Sequence, residues 1–232
     1  SLQRRTVRVV VAGGIVGLAE SAKGLLMEPS KPMRVRAQKT LANSLQQLEA
    51  MLTPVAATTP IDLMPGSGDP CNITMPQQPL HPCLLPVCHR YPTFASVTNP
   101  HAFELGGVRM LGTSGQPVTD ALKYAEGSAE PDAVQLLEDM LTWRHIAPTA
   151  PDTLPCFPYA STDPFITEEA PHVLFAGNQT KYGTRLVRSP DGKVCRLIAV
   201  PSFATTQTAV LLNLRTLRCH PITFDGLSHL PP

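Results

Sequence analysis

A glycine-rich segment near the start of the chain has residue types that could bind the pyrophosphate of a dinucleotide. The β-branched run at residues 7–12 predicts a buried strand, and AGGIVGLA (residues 12–19) continues directly from it. Such glycines permit a tight turn and a close approach of phosphate to a helix start. A dinucleotide site also needs an acidic residue about 20 positions later, and residues 31–40 contain neither Asp nor Glu. The segment therefore favours a plain strand-to-loop turn, and a dinucleotide-binding enzyme is the less favoured alternative.

Cysteines and histidines come together at residues 81–89, where their chemistry would suit zinc. Cys83 and Cys88 lie near His81 and His89. Structural zinc sites usually combine two short turns of the C-x-x-C type. The chain has no C-x-x-C pair, and prolines interrupt this segment. We therefore predict reduced, mostly buried cysteines rather than a zinc site.

Two other segments have some features of a catalytic or anion-binding motif. VRMLGTSGQ (residues 108–116) has a strand followed by glycines that could cradle phosphate, but it lacks the lysine of a P-loop. His145 follows Arg144 at the end of a predicted helix, where a histidine usually forms a hydrogen bond or caps the helix. Neither Ser114 nor Ser161 lies in a nucleophile elbow. We expect these segments to serve loop structure.

Two strand-to-loop segments lie where a binuclear phosphoesterase carries its metal-ligand motifs, but they lack most of the ligand side chains. IDLMPGSGD (residues 61–69) ends in Asp69, and HVLFAGNQT (residues 172–180) ends in Asn178, Gln179 and Thr180. An active binuclear phosphoesterase carries Gly-Asn-His-Asp at the first place and Gly-His-x-His at the second. Amide side chains cannot replace two imidazoles on Zn, Mn or Fe, and we expect Asp69 to cap a turn. The pair indicates a binding protein built on the frame of an enzyme.

Composition and periodicity predict a globular α/β sandwich, which would position these segments. The 232 residues have a net charge of +1, so no global field attracts nucleic acid or a membrane surface, and no run of 18 apolar residues occurs. Apolar residues at helical spacing predict helices at residues 33–52 and 133–143. Strands alternate with helices in the N-terminal part of the chain and follow one another directly in the C-terminal part, which indicates a sheet with an antiparallel half. The predicted strands are residues 7–12, 61–64, 94–98, 108–111, 172–176, 195–200, 208–214 and 219–224.

Longer segments, in the same order along the chain, resemble the small B-type accessory subunits of eukaryotic DNA polymerase delta. The likeness extends from about residue 7 to residue 226, and segments this long are far more specific than the short glycine patterns. The segments that carry it are MPQQPLHPC (75–83), VTNP (97–100), GVRMLGTSGQ (107–116), RHIAPTAPDTL (144–154), TDPFI (162–166) and AVPSFATTQTA (199–209).

The resemblance implies a calcineurin-like metallophosphoesterase sandwich, with mixed sheets flanked by helices and a degenerate metal site. Residues 1–232 would form the inactive phosphodiesterase-like domain, and the OB domain and the first phosphoesterase motif would lie upstream of Ser1. Archaeal relatives keep the ligands and act as nucleases. Matched motif by motif, only Asp69 keeps a ligand type, and two metal ions need several ligands each. The degenerate positions are Gly14, Gly68, Asp69, Leu111, Asn178 and Thr180.

The function implied by this resemblance is that of a non-catalytic scaffold in DNA replication. The protein would bind the C-terminal domain of the catalytic subunit of DNA polymerase delta and a further accessory subunit, in the nucleus. No cofactor or metal is expected, and DNA contact would be weak or indirect. The alternatives are an active metallophosphoesterase or nuclease and, less favoured, the dinucleotide-binding enzyme.

Overall fold

The computed structural model of the chain describes residues 6–16, 31–125, 132–189 and 192–224. Its contacts divide the chain into two compact units. The first comprises residues 1–73 and 77–99, and the second comprises residues 74–76 and 100–232. Residues 17–19, which end the glycine-rich segment, lie outside the described residues.

The first unit contains a parallel sheet of three strands and one long helix. The strands β1 (Val9–Ala12), β2 (Ile61–Met64) and β3 (Phe94–Ser96) lie in the order β1-β2-β3, and each neighbouring pair is parallel. Every residue of β2 is buried, as expected for a central parallel strand. The described part of this unit also contains helix α1 (Lys31–Ala56) and two 3-10 turns (Pro82–Leu84 and Cys88–Arg90).

An ion pair joins the central strand of this sheet to the residue that precedes β1. Asp62 of β2 is 2% exposed, and both of its carboxylate oxygens accept hydrogen bonds of 2.7 Å from the Arg8 guanidinium. Because a buried carboxylate without a partner is costly, this pair allows an acidic residue inside an otherwise apolar strand. The apolar core around it includes Leu45, Ile61, Leu63, Leu80, Leu85 and Phe94.

The described strands of the second unit are β4 (His101–Leu105), β5 (Val108–Thr113), β6 (Val173–Gln179), β7 (Gly183–Arg188), β8 (Val194–Pro201), β9 (Thr208–Leu212) and β10 (Cys219–Thr223). The first five form a mixed sheet in the order β4-β5-β6-β8-β7. The inner pairs β5-β6 and β6-β8 are parallel, and the outer pairs β4-β5 and β8-β7 are antiparallel. A separate antiparallel pair, β9 with β10, follows.

Among its described residues, the second unit also contains three short helical elements and one longer helix. They are α2 (Gln116–Ala121), a 3-10 turn (Leu122–Tyr124), α3 (Ala133–Trp143) and α4 (Phe203–Thr206). The Asp132 side chain caps α3 by accepting the N–H of Val134 at 2.9 Å, and Arg144 ends it in the left-handed conformation. The buried side of α3 packs into the core of the unit through Val134, Leu136, Leu137 and Met140.

The structure confirms a mixed α/β chain with antiparallel strands and corrects several element boundaries. Helix α1 extends beyond residues 33–52 at both ends, and its Val35 is exposed although the pattern placed it on the apolar face. Strand β6 continues past Ala176 to Gln179, so the GNQT segment is partly strand. Strands β4 and β7 were not predicted. Both are sheet edges in which polar residues, such as Glu104 in β4 and Arg185 in β7, interrupt the apolar run.

In the described part of the chain, no helix is long and apolar enough to cross a membrane.

Candidate functional site

The first unit holds Asp69 in a close set of backbone hydrogen bonds. Its Oδ2 accepts the N–H of Gly14 at 2.9 Å and the N–H of Gly66 at 2.8 Å, and its Oδ1 accepts the N–H of Val16 at 3.2 Å. The residue is 8% exposed. We call the carboxylate and these N–H groups the Asp69 nest. It connects the loop that follows β1 with the loop that follows β2.

Glycines make the approach of these two loops possible. Gly13 and Gly14 have φ angles of 74° and 70°, in the left-handed region that favours glycine. A Cβ at Gly66 would lie 2.5 Å from the backbone nitrogen of Gly14 and 3.0 Å from Cα of Gly13. Any larger residue at position 66 would therefore separate the loops and remove the N–H donors from the carboxylate.

Burial and hydrogen bonding change the pKa of the Asp69 carboxyl in opposite directions. Burial raises its pKa above the ordinary value, and the N–H donors of Val16, Gly66 and Gly14 oppose that rise. The same surroundings also change the pKa of the nearby Cys71 thiol. Burial, together with the charge of Asp69, raises the pKa of Cys71 to about 11. The raised pKa keeps the Cys71 thiol in its neutral form near neutral pH.

Gln77 fixes the loop that carries Asp69. It is 2% exposed, and its Nε2 donates to the carbonyl oxygens of Asn72 at 3.0 Å and Gly66 at 3.3 Å. Its Oε1 accepts from Nδ2 of Asn99 at 2.8 Å, and the two residues also exchange backbone hydrogen bonds. Sequence reasoning missed this contribution of Gln77 and Asn99, because their pairing across the chain has no local signature. Both lie in segments that the family resemblance had singled out.

The second unit places Leu111 inside a strand. Leu111 lies in β5, half-buried, and packs against the apolar core of the unit. Its neighbour Gly112 contacts the face of the Phe175 ring so closely that a Cβ would lie 1.9 Å from a ring carbon. Leu111, which the family resemblance matches to a metal ligand, therefore has a packing role in the structure.

The GNQT segment of β6 uses its amides for loop structure. Asn178 has a φ of 53° and its Nδ2 donates to the carbonyl of Ser114 at 2.9 Å. Gln179 is 3% exposed, and its Nε2 donates to the carbonyl of Gly177 at 2.7 Å. Thr180 is exposed. These two amides stabilise the turn in the segment where the enzyme motif would have imidazoles.

Gly115 allows the loop before α2 to pass close to this segment. Its φ is 102°, and a Cβ there would lie 2.0 Å from the carbonyl oxygen of Gly177. Sequence reasoning expected loop structure here without identifying the glycine as obligatory. The available signal was Pro117, because a proline in the first turn of a helix marks the preceding glycine as the N-cap.

The remaining candidates have structural partners. His81 accepts the N–H of Cys83 through Nδ1 at 3.2 Å, and Nε2 of His89 lies 3.2 Å from Oγ of Ser96. His145 lies 2.9 Å from a carboxylate oxygen of Asp163, so its predicted hydrogen bonding is confirmed, whereas the capping position belongs to Arg144.

The cysteines are less uniformly buried than the sequence predicted. All six are free. Cys88 and Cys195 are buried, Cys83 is exposed, and the other three are half-buried. Among the residues that the structure describes, no cluster of three or more His, Cys, Asp or Glu side chains could hold a metal ion.

The hydrogen bonds of the Asp69 nest hold the loops after β1 and β2 in place, and the amides of Asn178 and Gln179 hold the turn in the GNQT segment. The N–H groups of Gly14 and Val16, which a dinucleotide site would direct at phosphate, are directed at Asp69 instead. Geometry therefore disfavours the dinucleotide interpretation of this loop. Backbone N–H groups and side-chain amides are also poor substitutes for the histidine and carboxylate ligands of a hydrolytic metal centre.

Comparison with known proteins gives the chain a family. It is 44% identical over 225 residues to the DNA polymerase delta small subunit of Oryza sativa subsp. japonica, and the alignment covers 97% of this chain and 51% of that protein. It is 48% identical over 188 residues to the Arabidopsis thaliana small subunit, with coverages of 81% and 42%. It is 40% identical over 219 residues to DNA polymerase delta subunit 2 of Drosophila melanogaster, with coverages of 94% and 50%. The chain spans about half the length of these relatives.

A solved structure described as a novel archaeal phosphodiesterase is a more remote likeness. It has a TM-score of 0.46 and 10% identity, and the alignment covers 96% of this chain and 86% of that one. This likeness is too distant to assign an activity. The family model that describes the B-type subunits of DNA polymerases alpha and epsilon matches residues 3–184. The chain belongs to this family of B-type DNA polymerase subunits.

Proposed function

We propose that the chain is part of a non-catalytic accessory subunit of DNA polymerase delta and acts by binding other proteins in DNA replication. The support is its identity of 40–48% to small subunits of that polymerase from two plants and an insect. Residues 1–232 would form its phosphodiesterase-like domain, and the protein would work in the nucleus.

The Asp69 nest is the observation that carries the non-catalytic part of this proposal. Asp69 is the surviving residue of the phosphoesterase motifs, and its carboxylate oxygens accept the N–H groups of Gly14, Val16 and Gly66. A catalytic metal needs about three protein ligands. The other motif positions offer glycine, leucine, asparagine and threonine.

Exposed apolar side chains support binding to proteins. In the second unit, Trp143, Phe157, Ile166 and Phe203 each expose 56% of their surface. Aromatic side chains are enriched at the centres of protein interfaces, where a few of them contribute most of the affinity. We propose that the partners are the C-terminal domain of the catalytic subunit and a further accessory subunit. With a net charge of +1, the chain would bind DNA weakly or not at all.

The test is co-expression of the full-length protein with the catalytic subunit of the same organism, followed by size-exclusion chromatography with mass measurement. We expect one stoichiometric complex. The same preparation is assayed for Mn²⁺-dependent phosphodiesterase activity, with an Asp69→Ala variant as the control. Separate elution of the two proteins would contradict the accessory role. Activity that Asp69→Ala abolishes would favour the metallophosphoesterase alternative.

A further inference from the structure

The hydrogen bonds of the Asp69 nest have the geometry of an anion site. Consecutive residues with unusual backbone angles, such as Gly13 and Gly14 with φ angles of 74° and 70°, turn their N–H groups towards one point. Such concave arrangements of N–H groups bind phosphates and other anions in many proteins. Here the N–H groups of Gly14 and Val16 meet that of Gly66, which comes from a different loop.

The ligand at this point belongs to the chain itself. Asp69 lies three positions after Gly66, so the loop after β2 supplies both a donor and the acceptor. The carboxylate then reaches across to the loop after β1, where it accepts two further N–H groups at 2.9 and 3.2 Å. A carboxylate and the terminal oxygens of a phosphate or formate ion are alike in accepting several N–H donors at once.

We infer that the loops after β1 and β2 form an oxyanion-binding site that is permanently occupied by the carboxylate of Asp69. The wild-type site is closed to external anions because its donors are already used. Removal of the side chain would leave a small buried cavity lined by N–H groups, and this cavity would bind a carboxylate such as formate. The carboxylate of Asp69 acts as a built-in ligand that joins the two loops.

Chemical rescue tests this inference. Full-length Asp69→Ala is melted in increasing sodium formate and, at matched ionic strength, in sodium chloride. We expect the melting temperature of the variant to rise with formate and to saturate, by a few degrees at about 100 times the dissociation constant. Wild-type protein should show no difference between the two salts. Asp69→Asn is the matched control, because its side chain fills the same space and leaves no room for formate.

Two results would overturn the inference. One is an Asp69→Ala variant that melts at the same temperature in both salts. The other is an equal formate effect in Asp69→Asn, because binding would then lie elsewhere.

A second measurement applies if Asp69→Ala does not fold. In ¹⁵N-labelled protein, the amide protons of Gly14 and Gly66 should resonate further downfield in wild type than in Asp69→Asn, since hydrogen bonds to a charged acceptor are shorter and stronger. Unchanged amide resonances at both positions would show that these N–H groups do not bind the carboxylate.

Discussion

The backbone N–H of Gly14 donates to Oδ2 of Asp69 at 2.9 Å, across 55 positions of sequence. This bond joins the loop at the end of β1 to the loop at the end of β2, which are neighbouring parallel strands. The loops of neighbouring strands meet at one edge of a parallel sheet, where α/β enzymes usually hold their ligands. In this chain, that edge of the first unit is closed by the Asp69 nest.

Replacement of Asp69 by asparagine should destabilise the protein. The variant keeps the shape of the side chain but turns an NH₂ group towards at least one N–H donor. Because a buried donor left without an acceptor costs free energy, we expect the unfolding free energy to fall by about 1–3 kcal/mol. Denaturant unfolding measures this. Asp152→Asn, at an exposed position, is the control and should change stability by less than about 0.5 kcal/mol. Equal effects of the two substitutions would show that the nest contributes no stability.

Alanine at Gly115 should be far more damaging than alanine at Gly106. Both glycines have positive φ angles, of 102° and 58°, so both substitutions strain the backbone by about 1–3 kcal/mol. A Cβ at Gly115 would also lie 2.0 Å from the carbonyl oxygen of Gly177, whereas at Gly106 it would meet nothing within 4 Å. The difference between the melting temperatures of the two variants measures the effect of this steric contact, and we expect the Gly115→Ala variant to melt at the lower temperature. Similar melting temperatures would mean that Gly115 does not approach Gly177.

Leu111→Ala should destabilise the protein less than Leu197→Ala. Leu197 is 0% exposed, and we expect its loss to cost about 2–5 kcal/mol. Leu111 is only half-buried against the same core, so its loss should cost about 2 kcal/mol, at the low end of that range. Urea unfolding of both variants provides the comparison. An unchanged midpoint for Leu111→Ala would contradict its packing role.

The cysteines should differ widely in reactivity. Burial raises the pKa of Cys195 to about 12, and the thiolate is the reactive form. At pH 8, iodoacetamide should therefore modify the exposed Cys83 first and Cys195 only after unfolding. Peptide mass mapping of the native and the denatured protein identifies the order. Early modification of Cys195 in the native protein would contradict its burial in the second unit.

Local patterns predicted the elements that have local causes. Helix α3 has the predicted limits because an apolar period marks it, and strand β2 has them because Pro65 and Gly66 follow its last residue. The turn role of Asp69 was also predictable, and the local bond from Gly66 confirms it.

The long-range half of the site could not be predicted in this way. Nothing in the sequence near Asp69 indicates that Gly14 and Val16 supply its other donors. Pairing between loops depends on strand order, which periodicity does not encode. Edge strand β7 was missed for a local reason, because its polar residues Thr184, Arg185 and Arg188 leave no apolar run.

We propose that the chain binds the catalytic subunit of a polymerase rather than DNA. The most direct test of this proposal is a pair of titrations of the full-length protein at one physiological salt concentration. One uses the C-terminal domain of the catalytic subunit, and the other uses a primer–template duplex. We expect duplex binding no tighter than about 10⁻⁴–10⁻⁶ M, the range of non-specific contacts, and binding to the protein domain that is at least about tenfold tighter. Tighter binding to the duplex than to the domain would contradict the account and indicate a nucleic-acid-binding function.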